Sequence, residues 1–336
     1  ILNSGCRFFD KRIGQSTTLT GRQIVKHMSA ECNRVITGEY NHVGEAVIYG
    51  DTDSVYFSAY STLKNEIDSG QLPWDKETVV TLYDQICSEA DSTFVDFMAK
   101  AFHCPKSRAD VIKAGREIVG SSGLFITKKR YAILVYDDEG DRKDVNGKPG
   151  KVKAMGLDLR RSDTPVYMQD FLMEILLMVL QNYPENQVLD RISEFRNEFI
   201  QMPSWEKGTP KRVNKLGYYQ ALEEKRGKAN LRGHGRARRA WNTCKRIFND
   251  RYSRDIVDGM KVIVCKLKNN PLGYTSISYP TDELRLPEWF KELPFDDDAM
   301  STTIIDKKID NLIGVLGFDL EETKQYNTFN DLFTFE

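Results

Sequence analysis

The stretch Tyr49-Gly50-Asp51-Thr52-Asp53-Ser54 is the most informative part of the sequence. Apolar and aromatic residues precede it at 46–49 and follow it at 55–57, which predicts two strands joined by a tight turn. Side chains two apart on an extended strand point to the same face, so we expect Asp51 and Asp53 to lie close together. Two such carboxylates repel each other unless a cation lies between them. Oxygen ligands without nearby Cys or His favour magnesium or manganese over zinc.

An Asp-x-Asp pair alone is a weak motif, because it also occurs in glycosyltransferases, calcium-binding loops and ordinary solvated turns. The complete six-residue stretch between two apolar strands is far rarer, and it resembles the motif that carries a metal-binding aspartate in family B DNA polymerases. By this resemblance, Asp53 is the principal metal ligand and Asp51 is the supporting carboxylate. The resemblance is to the replicative polymerases of T-even-type phages in particular.

Length and composition set broad limits on the protein. At 336 residues with 40% apolar content, the chain can form one large domain or two of ordinary size. The net charge is -1, yet the segment 225–246 contains nine basic residues and no acidic one, as a surface for polyanions would. The six cysteines include no Cys-x-x-Cys pair, which indicates a reducing compartment and argues against a structural zinc site. No apolar run reaches about 18 residues, so we expect no membrane span.

Apolar periodicity and capping residues predict the order of helices and strands. The predicted helices cover 16–37, 75–102, 165–182 and 185–202, with Asp75 capping the second and Thr164 or Asp163 the third. The predicted strands lie within 111–136, with a turn at 121–123, and at 261–267 and 274–278. The predicted fold class is α+β. A boundary near residue 158 separates an antiparallel sheet with helices (1–157) from a mainly helical domain with a small β element (158–336).

A second charged cluster, Lys128-Lys129-Arg130-Tyr131, lies in a predicted strand segment. Three consecutive cations repel one another and are tolerated when an anion lies alongside, although a charged, solvated strand edge also explains them. Family B polymerases carry the same four residues downstream of their aspartate hairpin. The resemblance implies that this cluster contacts primer-template DNA and that Lys129 helps to order the aspartates around the metals. Such contacts to phosphates position DNA without reading its sequence.

Two further basic segments are candidates for binding DNA phosphates. Arg160, Arg161 and Ser162 precede a predicted helix N-terminus and resemble the family's palm-to-thumb junction, although plain helix capping is an alternative role for Ser162. The second segment combines arginines with glycines that let a backbone approach a phosphate, and a flexible basic loop is its alternative interpretation. Its arginines are Arg232, Arg236, Arg238 and Arg239. A thumb domain that grips duplex DNA needs such a surface, and its binding weakens steeply with salt.

The last residues of the sequence form an aromatic peptide. Its apolar residues are Phe329, Leu332, Phe333 and Phe335. Exposed aromatic residues are unusual near a chain end. The polymerases of T-even-type phages end in a similar peptide that inserts into a sliding clamp, so the resemblance implies that these four residues bind the clamp. The alternative is that they fold back onto the thumb.

The resemblance covers nearly the whole chain and implies the palm (1–157) and the thumb with its clamp-binding peptide (158–336) of a DNA-directed DNA polymerase. In such enzymes two Mg²⁺ ions, or Mn²⁺, hold the attacking 3′-oxygen and the leaving pyrophosphate. The implied catalytic residues are Asp53, Asp51 and Lys129. A third carboxylate and the fingers helix that holds the incoming nucleotide have no counterpart in the sequence. We therefore expect the C-terminal part of a polymerase, which needs an N-terminal polymerase chain for activity.

The implied partners are primer-template DNA, deoxynucleoside triphosphates, the N-terminal chain and a sliding clamp. The implied location is the cytoplasm of a phage-infected host, and no membrane partner is expected. Two other functions stay open. The chain could be a non-catalytic module that binds DNA and the clamp without turnover. It could also be an Asp-x-Asp glycosyltransferase, although the cluster at 128–131 and the basic segment at 225–246 count against that function.

Overall fold

A computed structural model describes residues 3–226 and 233–324 of the chain. The chain divides into two compact units, unit 1 (Ile1–Lys153) and unit 2 (Ala154–Glu336), so the division falls shortly before the boundary predicted near residue 158. Both units combine helices with antiparallel strand pairs, which confirms the α+β class. Within the described ranges, no helix is both long enough and apolar enough to cross a membrane.

Unit 1 combines α-helices with a two-stranded and a four-stranded sheet. Its elements in chain order are α1 (Lys11–Thr37), β1 (Val47–Asp51), β2 (Ser54–Phe57), α2 (Lys64–Asp68), α3 (Lys76–Ser92), α4 (Phe94–Phe102), β3 (Ile118–Thr127), β4 (Arg130–Asp138), β5 (Asp141–Arg142) and β6 (Lys151–Met155). Strands β1 and β2 form an antiparallel hairpin against which α1 packs. Strands β3, β4 and β5 pair antiparallel in that order, and β6 also pairs with β4. Strand β4 is therefore central, and it is buried along nearly its whole length.

The first helix starts earlier than its apolar pattern predicts. Helix α1 begins at Lys11 rather than at residue 16, because the Asp10 carboxylate accepts the Arg12 N–H at 2.8 Å and caps the first turn. At the other end, Gly38 adopts a φ of 85°, a left-handed conformation that commonly ends helices. The predicted end at Thr37 is confirmed.

The single helix predicted over 75–102 is two helices, α3 and α4. Asp75 caps α3 as predicted and accepts the backbone N–H groups of Glu77 and Thr78. The break lies at Thr93, whose hydroxyl donates to the Ala90 carbonyl at 2.7 Å. Such a local side-chain bond competes with the helical backbone bonds, so the long predicted helix divides there.

The turn predicted at Ser121-Ser122-Gly123 is wrong, because all three residues lie inside β3. A Cβ atom on Gly120 would lie 2.4 Å from Ile133 Cγ2 of the neighbouring strand, so glycine here permits a close approach of β3 to β4. The pairing is irregular in this region, with register shifts on both sides of Gly120. Gly123 is also tightly packed, since a Cβ atom there would lie 2.9 Å from Phe125 Cε2, so its role is in strand packing and not in a turn.

Unit 2 is mainly helical, with one three-stranded antiparallel sheet in the order β7-β8-β9. Its elements are α5 (Val166–Leu180), α6 (Glu185–Gln201), β7 (Thr209–Arg212), α7 (Leu216–Arg226), α8 (Gly233–Ile247), β8 (Lys261–Lys266), β9 (Ser276–Pro280), α9 (Glu288–Lys291), α10 (Asp297–Ser301) and α11 (Lys307–Ile313). Strand β7 was not predicted from the sequence. It is short, polar and contains Pro210, a residue that β-sheets accept mainly on their edge strands.

One hydrophobic core cluster of unit 2 lies between α8 and the sheet. Trp241 of α8 is fully buried there, packs against Trp289 and Phe290, and donates its indole N–H to the Arg254 carbonyl at 2.9 Å. Buried aromatic side chains of this size contribute strongly to stability. The core therefore fixes one face of α8 and leaves its opposite face to solvent.

Candidate functional site

The two aspartates of unit 1 lie at the tip of the β1–β2 hairpin, but they are not both on a strand. Asp51 ends β1 and pairs with Ser54, so Thr52 and Asp53 form a two-residue turn. Thr52 has a φ of 54°, the left-handed conformation that such turns need. The Asp53 N–H donates to the Asp51 carbonyl at 2.5 Å. The expectation that the two carboxylates share one strand face is therefore wrong, because Asp53 belongs to the turn that follows Asp51.

The lysine cluster lies on a second hairpin turn. Lys128 and Lys129 form the two-residue turn between β3 and β4, because Thr127 pairs with Arg130. The Lys129 Nζ atom lies 2.9 Å and 2.8 Å from the two carboxylate oxygens of Asp51. The tips of the β1–β2 and β3–β4 hairpins therefore meet through an ion pair between residues far apart in the sequence. We call this arrangement the two-turn site.

An aromatic cluster lies beneath the two-turn site and joins the same two hairpins. It consists of Tyr49, Tyr56, Phe125 and Tyr131, whose ring centroids lie 5.2–6.0 Å apart in every pair. The hydroxyls of Tyr56 and Tyr131 are hydrogen-bonded at 2.9 Å. The pKa of Tyr56 is raised well above its ordinary value, mainly by burial and secondly by this hydrogen bond. Such ring pairs stabilise a contact beyond the area that they bury, so the cluster fixes the relative position of the two turns.

The burial of Tyr131 corrects one interpretation of the sequence. This residue was expected to contact DNA, but its side chain is 3% exposed and packs inside the aromatic cluster. Its hydroxyl is occupied by Tyr56. Tyr131 therefore has a packing role here, whereas Lys128 and Lys129 beside it are exposed.

The electrostatics of the two-turn site favour the ionised forms of both partners. The hydrogen bond from Lys129 is the main cause that lowers the pKa of the Asp51 carboxyl, with smaller contributions from Thr52 and Tyr49. The same bond raises the pKa of the Lys129 ammonium. The Asp51 side chain is 14% exposed and that of Lys129 57%, so Lys129 covers the carboxylate from the solvent side. The ion pair therefore favours the carboxylate form of Asp51.

Asp53 differs from Asp51 in having no such partner. It is exposed, and its carboxylate makes no hydrogen bond or ion pair to any described residue. Together with β2 and residues 113–123, it lines a cleft with a volume of about 470 Å³. The backbone N–H of Lys129 also donates to the Tyr49 hydroxyl at 2.9 Å, and neither this bond nor the cleft is predicted from the sequence. Both depend on contacts between strands that are more than 60 residues apart in the sequence, so no local sequence pattern predicts them.

The donor set fits a hard divalent cation in kind but not in number. Carboxylate oxygens are the ligands that Mg²⁺ prefers. Throughout 3–226 and 233–324, however, no group of three or more His, Cys, Asp or Glu side chains is placed to hold a metal ion. Two carboxylates leave an octahedral shell incomplete, so a magnesium site built on Asp51 and Asp53 needs additional oxygen ligands.

The basic residues at the start of unit 2 are exposed but partly paired. Arg160, Arg161 and Ser162 all lie on the surface. The Arg161 guanidinium pairs with Asp163 at 3.0 Å and with Asp158 at 3.2 Å, and it is the main cause that lowers the pKa of Asp163. An approaching phosphate would have to compete with these two carboxylates.

The helix caps predicted for this segment are wrong. Pro165 is itself the N-cap residue of α5, and no side chain bonds to the first turn. Thr164 accepts a hydrogen bond from Lys308 Nζ at 2.8 Å instead. Asp163 pairs with Arg161 and Lys211. The chain thus uses these side chains to connect distant segments of unit 2 rather than to cap the helix.

The basic segment of unit 2 forms the regular helix α8 from Gly233 onward rather than a loop. Arg236 is exposed, Arg239 is half-buried, and Arg238 donates its Nε–H to the Ile256 carbonyl at 2.8 Å. Arg238 therefore supports the fold as well as carrying charge. Arg232 lies outside the described residues, as do the candidate clamp-binding residues Phe329, Leu332, Phe333 and Phe335.

Curated proteins with similar sequences are DNA polymerases of viruses. The chain is 28% identical over 185 residues to the DNA-directed DNA polymerase of Escherichia phage RB69, a match that covers 52% of this chain and 20% of that protein. It is 25% identical over 290 residues to the DNA-directed DNA polymerase of Enterobacteria phage T4, covering 82% and 30%. A DNA polymerase of Invertebrate iridescent virus 6 is 25% identical over 183 residues, covering 54% and 13%. The chain thus spans less than a third of these relatives, and no family model matches it.

Proposed function

We infer that this chain, a relative of the DNA-directed DNA polymerases of T-even-type phages, contributes the aspartate hairpin and the lysine turn to a DNA-directed DNA polymerase. The observation that supports this most is the ion pair between Lys129 and Asp51, which joins two turns 78 residues apart. It places a fixed cation, an ionised carboxylate and the exposed Asp53 at one surface of unit 1. Template-directed nucleotidyl transfer needs such a surface, because charge develops on phosphate and hydroxyl oxygens.

In this function Asp53 is the principal metal ligand and Asp51 the supporting one. Two Mg²⁺ ions, or Mn²⁺, when bound would lower the pKa of the primer 3′-hydroxyl and neutralise charge on the triphosphate. Lys129 offsets the negative charge of Asp51 and so reduces its repulsion of Asp53. It also restricts the position of the Asp51 carboxylate, since both oxygens bind the same ammonium. We assign the further oxygen ligands that the metals need to an N-terminal polymerase segment.

The basic residues form the proposed binding surface for primer-template DNA. Lys128, Lys129 and Arg130 in unit 1, and Arg160, Arg161 and Ser162 in unit 2, would hold phosphates, as would the arginines of α8. Contacts of this kind release counterions, so DNA affinity would fall steeply between 50 and 200 mM salt, by on the order of a thousandfold for six contacts. Deoxynucleoside triphosphates complete the substrates.

We further propose that the C-terminal peptide binds a sliding clamp and that the protein works in the cytoplasm of a phage-infected host.

A second candidate is a module that binds DNA without turnover of its own. The observation that favours it is the incomplete donor set at Asp51 and Asp53, since two carboxylates hold magnesium weakly. The two candidates differ in one measurable property. A catalytic part restores turnover when the remaining polymerase segment is added, whereas a binding module does not.

The experiment is primer extension with Mg²⁺ by the chain assembled with the polymerase segment that co-purifies with it from its native source. Loss of an outer-shell partner of a metal typically lowers activity by about 10–100-fold, and Asp53→Ala, which removes a proposed direct ligand, should lower kcat by more than that. Lys129→Met, which removes such a partner, should fall within that range.

The matched control is Asp68→Ala, which removes an exposed aspartate that pairs with Lys64 on the short helix α2. It should leave primer extension unchanged. If Asp53→Ala extends primers at the wild-type rate, the catalytic assignment is wrong. If the assembly extends no primers but the chain binds primer-template with steep salt dependence, the binding module is the correct interpretation.

A further inference from the structure

The hydroxyl of Tyr49 makes a second bridge between the two hairpin turns. It accepts the backbone N–H of Lys129 at 2.9 Å, across 80 residues of sequence. Tyr49 lies two residues before Asp51 on β1, and side chains at this spacing point to the same face of a strand. One strand therefore contacts Lys129 twice: Tyr49 binds its backbone and Asp51 binds its side chain.

The backbone of Lys129 needs support from outside its own turn. Its φ is 61°, in the left-handed region that residues with a Cβ atom adopt only at an energetic cost. Such conformations persist where the surrounding structure holds them in place. The bond from Lys129 N–H to Tyr49 is the contact that ties this residue's backbone to the aspartate hairpin.

Tyr49 is itself held rigidly. Its ring lies 5.5 Å from that of Tyr131, 5.9 Å from that of Phe125 and 6.0 Å from that of Tyr56. Rings from β2, β3 and β4 thus surround it and restrict its rotation. The hydroxyl is consequently a fixed point from which the lysine turn can be placed.

We propose that Tyr49 is a positioning residue that sets where the Lys129 ammonium meets Asp51. This role rests on the proposed function, in which Lys129 orders the aspartates. Without the Tyr49 hydroxyl, the turn at Lys128-Lys129 loses its backbone anchor and the ammonium samples a wider range of positions. Tyr49 touches neither the substrate nor the reacting atoms in this role. It acts mainly through Lys129, and its direct contribution to Asp51 is small.

The aromatic cluster offers a matched control for this role. Tyr49→Phe and Tyr56→Phe each remove one hydroxyl from the same cluster and keep the ring. The hydroxyl of Tyr56 binds Tyr131, however, and that of Tyr49 binds the lysine turn. A general loosening of the cluster would affect both variants, whereas loss of the anchor affects Tyr49→Phe.

The first measurement is amide hydrogen exchange at Lys129, followed by NMR on the chain. Tyr49→Phe should speed exchange of the Lys129 N–H by about five- to tenfold, as loss of one hydrogen bond predicts, and Tyr56→Phe should leave it within about twofold. This measurement does not require enzymatic activity. Unchanged exchange in Tyr49→Phe overturns the proposal.

The second measurement is a double-mutant cycle on primer extension by the assembled polymerase. Tyr49→Phe should lower kcat by about tenfold with the nucleotide KM unchanged, and it should add less than about twofold in the Lys129→Met background, because it acts through Lys129. A full additional loss in that background overturns the proposal. If Asp53→Ala leaves primer extension unchanged, the proposed function fails while the exchange experiment still decides whether Tyr49 holds the turn.

Discussion

Unit 1 and unit 2 present charged residues to solvent in different ways. In unit 1, Asp51 and Lys129 come from two turns that tertiary packing brings together across 78 residues. In unit 2, Arg236 and Arg239 lie on one helix, α8, whose periodicity places them side by side. The position of a charge in the two-turn site therefore depends on distant contacts. The position of a charge on α8 depends on the helix and on the core under it.

Removal of the core beneath α8 gives the largest expected effect and tests this comparison directly. Trp241→Ala deletes a fully buried side chain and its bond to the Arg254 carbonyl. We expect the free energy of unfolding of unit 2 to fall by about 3–5 kcal/mol, as large-to-small changes in cores do. Urea denaturation followed by residue-resolved hydrogen exchange measures this loss.

The control for Trp241→Ala is Phe248→Ala, which removes a ring that is 47% exposed and stacks on Trp289. It should cost less than about 1 kcal/mol, because less apolar area is lost from the core. In both variants, exchange at Lys129 in unit 1 should stay unchanged. Faster exchange there would contradict this expectation, since it would mean that the two-turn site depends on the core of unit 2.

The next largest effect concerns the start of β1. Asn33 on α1 is fully buried, and its side-chain oxygen accepts the N–H groups of Ala46 at 3.1 Å and Val47 at 3.3 Å. Its amide nitrogen donates to the Asn41 carbonyl at 2.6 Å. Asn33→Ala leaves the buried Ala46 N–H without this partner, so we expect unit 1 to lose about 2–3 kcal/mol of stability.

Asn33→Ala should also affect the two-turn site. If the two-turn site depends on distant packing, Asn33→Ala should also speed exchange of the Lys129 amide, although Asn33 does not touch it. Asn65→Ala, an exposed asparagine on α2, serves as control and should change stability by less than about 0.5 kcal/mol. If the Lys129 amide keeps its protection in Asn33→Ala, the two-turn site does not depend on the packing of α1 against β1.

Features set by local sequence were predictable. The helix predicted over 185–202 is found as Glu185–Gln201, and the cap at Asp75 is confirmed. Both depend on residues within one or two helical turns, where periodicity and capping chemistry act. The α+β class followed from the same local patterns.

Features set by long-range contact were not predictable in the same way. The stretch Ser121-Ser122-Gly123 suggests a turn by composition, yet it lies inside β3, where Gly120 permits the close approach of β3 to β4. Strand β7, with its Pro210, has no strand pattern and is formed by pairing with β8. In the candidate site, the pairing of Lys129 with Asp51 was expected from a family resemblance, because the residue pattern holds no information about a contact across 78 residues. The role of Tyr49 had no signal beyond its place beside Asp51.

Asp250 in unit 2 gives the smallest expected effect and combines local with distant bonds. Its carboxylate accepts the N–H groups of Tyr252 and Ser253, the Ser253 hydroxyl at 2.7 Å and the Trp289 indole N–H at 3.0 Å. Burial disfavours the ionised form, but these hydrogen bonds outweigh it and lower the pKa of Asp250 to about 2 from an ordinary 3.8. A depressed pKa stabilises the folded state above the ordinary value, and this stabilisation is lost as pH falls from about 4 to about 2.

Because Asp250 is partly solvated, the full linkage energy is screened, and we expect it to contribute about 1 kcal/mol at pH 6. Urea midpoints of wild type and Asp250→Asn should therefore differ at pH 6, and the difference should shrink as pH falls from about 4 to about 2, because the amide, like the protonated carboxyl, carries no negative charge to strengthen these bonds. The exposed Asp258→Asn variant controls for the loss of one negative charge. A gap at pH 6 that does not shrink by about pH 2 would mean that the amide disturbs the turn sterically. A gap that shrinks would show that the charge of Asp250, which binds both the local turn and the distant Trp289, stabilises unit 2, so the contrast between local and distant contacts is one of degree.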